Sequence, residues 1–122
     1  MAFPVAEIHI AAEEQKLGRV LPVELRARLL RQNGGEVRTS DDIWQIFPVF
    51  DPSDRKRIAR TANHIERETA SLRKWTDFPA GTVALAANGS GDALILCAGS
   101  GTSRRWHHET GKATLVVVEW SE

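Results

Sequence analysis

Apolar positions in the first half of the chain recur at helical spacing. Val5 to Leu17 are good helix formers, with Ile8, Ala11, Ala12 and Gln15 on one stripe, and Gly18 follows as a stop. A second helix is expected to start at Pro22, whose missing N–H costs little in a first turn. Leu21, Leu25, Leu29 and Leu30 then form its buried face, and Arg26, Arg28 and Arg31 its solvent side. Asn33-Gly34-Gly35 ends it with residues that accept a left-handed conformation. Ile43 to Phe50 is β-branched and aromatic, and reads as a short strand. Pro48 cannot donate to a ladder, so the strand lies at an edge or stops there. Asp51-Pro52-Ser53-Asp54 has the makings of a helix N-terminus, with Asp51 as its cap. Ile58, Ala62, Ile65, Thr69 and Leu72 then predict one long helix, Pro52 to Lys74.

After Asp77 to Gly81 the period changes. Thr82 to Ala87, Asp92 to Ala98 and Lys112 to Trp120 are apolar runs, separated by the glycine-bearing segments Asn88 to Gly91, Gly99 to Gly101 and Glu109 to Gly111. Such runs predict an antiparallel meander. Several are apolar on both faces, so the sheet's centre needs a cover, and the helices of the first half are the available one. The expectation is an α+β domain in two layers spanning residues 1–122, with no linker and no repeat.

Composition narrows the function. Among 122 residues, 16 basic side chains balance 16 acidic ones, which disfavours a globally basic nucleic-acid binder, and no nucleic-acid partner is expected. A single cysteine, Cys97, excludes an internal disulfide and sits in an apolar run, where a thiol behaves as a small core residue. No signal peptide and no membrane-length apolar stretch is present, so a cytoplasmic protein without a membrane partner is expected.

The candidate chemistry is sparse. "NGSGDALIL" (Asn88 to Leu96) has the glycines of a phosphate loop but lacks the following helix, Lys and Ser/Thr, and Asp92 would repel an anion. A hairpin turn is the better reading. His107-His108-Glu109 is the one cluster of metal-type ligands, yet neighbours on a strand point to opposite faces, so no metal or cofactor is expected. Asp41-Asp42 precede Ile43 in a polar loop where aspartates make turns. Arg55, Lys56, Arg57 and Arg60 read as a solvated basic helix start. Trp75, in polar surroundings, either anchors a partner or closes the core. With no catalytic constellation, an enzyme is not expected.

Several stretches, taken in order, resemble the SUKH superfamily of fungal cell-wall-assembly regulators and bacterial immunity proteins. They are Leu17-Gly18 with Leu21-Pro22, Asn33-Gly34-Gly35, Asp41-Asp42-Ile43-Trp44, Phe78-Pro79, Gly89-Ser90-Gly91-Asp92, and Arg105-Trp106-His107-His108-Glu109-Thr110-Gly111. His107 departs from the pattern, standing where the family often has an acidic residue, and the family often carries a further helix after the last strand. The resemblance implies a non-enzymatic module that binds a protein partner. For a bacterial member that is a toxin domain encoded nearby, which it neutralises; the alternative is a regulatory or scaffolding role of the cell-wall-assembly type. It marks Trp44, Asp92, Trp106 and His108 as a shared surface or polar cluster. With Asp42, Trp75 and His107 these are the candidate partner-binding residues.

Overall fold

The computed structural model describes residues 2–121. Helix α1 (Glu7–Leu17) ends on Gly18, whose φ of 75° lets its N–H turn back to Glu14. The expected apolar stripe is not its buried face. Ile8 is 71% exposed, and Ile10, Glu13 and Glu14 point inward instead. The glutamates are buried because each is fully engaged. Glu13 accepts from the backbone N–H of Glu66 at 2.8 Å and pairs with the His64 ring at 2.7 Å. Glu14 accepts from Leu21 N–H at 2.7 Å and from Arg26 Nε at 2.9 Å.

Helix α2 (Val23–Arg31) follows Pro22 and buries Leu25 and Leu29 as expected. Leu30 turns outward, and Arg28, expected in solvent, is buried. Its guanidinium donates to the carbonyls of Glu36 and Trp120, both at 2.9 Å, so it ties the start of the first strand to the chain's last described turn. Gly34 and Gly35, both at positive φ, then redirect the chain into the sheet.

Strands β1 (Glu36–Arg38), β2 (Ile43–Ile46), β3 (Val83–Ala87), β4 (Ala93–Leu96), β5 (Ser103–Trp106) and β6 (Ala113–Leu115) pair antiparallel in sequence order. The expected meander is there, with two strands added. β1 is three residues long, and β5 reads Ser-Arg-Arg-Trp, so neither carries the apolar run that marked the others. β2 stops before Pro48 and lies inside the sheet, between β1 and β3. All four residues of β4 are buried, as a strand covered on both faces must be.

The predicted long helix is two. α3 (Arg55–Arg60) is capped by Asp54, not Asp51: the Asp54 carboxylate accepts from Arg57 N–H at 2.8 Å. α4 (Ile65–Leu72) starts after a break at residues 61–64. Thr61 causes the break, because its hydroxyl donates to the Arg57 carbonyl and accepts from Asp51 N–H, holding α3's end against the preceding loop. Ile65 N–H then bonds Pro48 C=O instead of a helical carbonyl. Ile58 and Ala62, expected inside, are exposed, and α3 buries nothing. α4 packs on β3, where Thr69 Oγ accepts the Ala84 N–H beside a register shift between Ala84 and Ala86.

Candidate functional site

In a sequential meander every second turn falls at the same end of the sheet. The β1–β2, β3–β4 and β5–β6 turns therefore meet there, and all seven candidate residues gather around them.

Arg105, which the sequence reading did not single out as a site residue, is the hub. It stands on β5 opposite Leu94 and Thr114, on the face carrying Trp44, with its guanidinium 5.0 Å from the Trp44 ring centre. Its Nε and Nη2 donate to Asp92 Oδ2 at 3.0 and 2.8 Å. Nη1 reaches Asp41 Oδ2 and Nη2 reaches Asp42 Oδ2, each at 3.1 Å. Burial works against the Arg105 charge, but the bonds and fields of these three carboxylates outweigh it and raise its pKa. The Asp41-Asp42 pair thus serves a mostly covered cation.

The carboxylates are each aimed by a turn. Thr39 Oγ donates to Asp41 at 2.7 Å and accepts from Trp44 Nε1 at 3.0 Å. Asn88 Nδ2 and Ile43 N–H donate to the two oxygens of Asp42 at 2.9 and 2.8 Å. These bonds, Thr39's for Asp41 and Asn88's for Asp42, hold both carboxyls below their ordinary range. Asp92, 8% exposed, divides its oxygens: Oδ2 takes Arg105, and Oδ1 takes the backbone N–H of His108 at 3.1 Å and the His108 ring at Nδ1. A carboxylate can only accept, so Nδ1 carries the proton. Burial pushes the Asp92 carboxyl up, and the bonds from His108 and Arg105 more than reverse this, leaving it at about 2. Gly91, at φ +112°, lies under the His108 ring, where a Cβ would meet ring atoms at 2.9 Å.

The candidate residues divide by exposure. Trp44 and Trp106 are fully buried, which corrects their assignment to a contact surface: they support it from beneath. Trp106 Nε1 donates to the Asp77 carbonyl, and its ring meets Phe78 and Trp75 edge-on at 5.2 and 5.9 Å. Asp92 is likewise internal. Asp42, Trp75, His107 and His108 form the rim, with Trp75 half exposed and edge-on to His108 at 6.1 Å. His107 bonds Thr114 Oγ at 2.9 Å and lies 3.7 Å from Asp92. A cavity of about 360 Å³ opens between Ser90, Asp92, Arg105, the two histidines and Thr110. No group of three or more His, Cys, Asp or Glu among the described residues is placed to hold a metal ion.

The basic start of α3 is built into a separate place. Lys56, Arg57 and Arg60 surround the Phe3 ring at 5.7, 4.4 and 4.8 Å, beside a cavity of about 280 Å³ that shares no residue with the first. Cys97 is half-buried against the core, and its carbonyl accepts from Arg19.

Together these features define an α+β protein with a braced polar and aromatic rim at one end of its sheet. The profile of the SMI1/KNR4 family (SUKH-1) matches residues 4–122, and the chain belongs to that family. Membership supports a protein-binding module. A comparison with curated proteins finds no match. No helix among the described residues is long and apolar enough to cross a membrane.

Proposed function

We propose that the chain is an immunity-type protein, which neutralises a toxin domain by binding it through the rim of Trp75, His107, His108 and Asp42. The observation behind this reading is the contrast between rim and base. Trp75 is 50% exposed and rests on the buried Trp106, while Arg105 and Asp92 beneath the rim are paired with each other and with Asp41, Asp42 and His108. A half-exposed tryptophan on a braced base is a binding anchor: its ring loses little freedom on docking, and its support does not shift. Asp92 and the aspartates around Arg105 are held ionised well below neutral pH, which suits scaffolding better than proton transfer.

Co-expression with the toxin encoded beside this gene tests the reading. Growth should be rescued and a complex should co-elute on gel filtration, and Trp75→Ala should weaken both. A toxin that kills equally well with and without this protein, with no complex formed, refutes it. The rival within the family is a regulatory role of the cell-wall-assembly type, and a signalling partner recovered in place of a toxin would favour that.

A further inference from the structure

The two edges of the sheet are treated differently. On β1 the backbone groups of Glu36 and Arg38 point outward, because Gly35 C=O and Ile46 N–H bond inward. That edge is blunted. Glu36's carbonyl is taken by Arg28 at 2.9 Å, and its exposed side chains are charged. The C=O of Lys112 and the N–H of Val116, which flank β6, bond inward to β5, so the backbone groups of Ala113 and Leu115 point outward. Val117, two residues past the end of β6, is the position that strand alternation would turn outward next. Arg104 makes a long 3.5 Å contact to the Ala113 carbonyl, and Leu115 and Val117 face solvent. Their side chains are 67% and 78% exposed on one face, and no proline or charged residue lies between Ala113 and Val118 to blunt the edge. The apolar rim continues on Val23, 82% exposed, which shares a cavity of about 430 Å³ with Val116 and Val118.

We propose that this edge pairs antiparallel with the same edge of a second copy of the chain, about a two-fold axis at Val116. In that register each Leu115 stands opposite the other copy's Val117. The two residues exchange N–H···O=C bonds on both sides of the axis, and four exposed apolar side chains cover one another. The strand is therefore complementary to itself. A two-fold pairing uses the β6 edge of both copies, and the other edge is blunted, so association stops at two and no filament grows. The 16 basic and 16 acidic residues leave no net charge to repel the approaching copy. One strand pair with a short apolar rim lies at the small end of interface sizes, under about 1,200 Å² in total, so the dimer is concentration-dependent. The edge contains none of the rim residues, so this proposal is independent of the toxin-binding reading.

Sedimentation velocity from about 1 to 500 µM tests it. The wild type should move from the 13.5 kDa monomer toward twice that mass. Val117→Lys should stay monomeric throughout, with its thermal melt unchanged. A wild type that remains monomeric at the highest concentration overturns the proposal, as does a Val117→Lys variant that dimerises equally well. The register is read separately in a Cys97→Ser background. Residues opposite one another in a non-hydrogen-bonded pair have Cα atoms about 4.5 Å apart, within disulfide reach. Val116→Cys should therefore cross-link two copies on mild oxidation. Cross-linking by Leu115→Cys in its place would refute the two-fold at Val116.

Discussion

Asp92→Ala should cost the fold about 2–4 kcal/mol at pH 7. Two routes lead to this range. Relative to an ordinary value of 3.8, a carboxyl held at about 2 stabilises the folded state by roughly 2 kcal/mol, at about 1.4 kcal/mol per pKa unit. Removing the carboxylate also strands what it satisfied: a guanidinium whose side chain is 14% exposed, and the His108 ring and N–H. Breaking a buried ion pair from one side costs about 3–5 kcal/mol, and here Asp41 and Asp42 still hold Arg105, which lowers the figure. Urea unfolding followed by tryptophan fluorescence measures the difference. The pH arm isolates the charge. Asp92's folded pKa is depressed, so its contribution is fully present above the unfolded value of 3.8 and is lost as pH falls toward about 2. The stability gap between wild type and Asp92→Ala should therefore narrow across that window. A variant within about 0.5 kcal/mol of wild type at pH 7, or a gap that stays constant from pH 5 to 2, refutes the reasoning.

Gly91→Val combines a φ of +112° with a Cβ 2.9 Å from the His108 ring, and should cost about 1–3 kcal/mol by the same denaturation assay. Trp106→Ala empties a fully buried site and should cost about 3–5 kcal/mol. Trp75→Ala removes a half-exposed ring from the top of that stack. It should cost the fold about 1 kcal/mol while weakening binding of the proposed toxin partner by a factor of about 10 or more in calorimetry, as loss of a hot-spot side chain does. Equal losses of stability and affinity would make it a core residue instead.

Elements announced by apolar runs were legible in the sequence. β3, β4 and the glycine turn between them follow the expected pattern, since a strand buried on both faces and a positive-φ reversal leave plain marks. The missed strands lack those marks. β5 is Ser-Arg-Arg-Trp, because one of its residues faces a carboxylate cluster instead of the core. The single long helix was a false inference from a true periodicity. Ile58 and Ala62 continue the spacing of Ile65, Thr69 and Leu72, and it is the bonds from Asp51 N–H to Thr61 Oγ and from Ile65 N–H to Pro48 C=O that show the chain has turned.

The remaining misses share one cause. Glu13, Glu14, Arg28 and Asp92 are charged and buried, and a pattern of apolar and polar positions assigns every charge to solvent. In this protein such charges join elements far apart in sequence. Glu13 ties α1 to the start of α4, Arg28 joins β1 to the last described turn, and Arg105 joins β5 to two turns through three aspartates. Most of these partners lie too far apart in sequence for a local window to contain the pair. The same reasoning explains why the candidate residues converged although three of them, Trp44, Asp92 and Trp106, proved internal. Short polar motifs at alternate turns of a meander are brought to one end by topology, and which of them face solvent is decided by the charge they share. Asp92 lies beneath the rim because Arg105 needs it there, and Trp75 is left outside because Trp106 already fills the place below it.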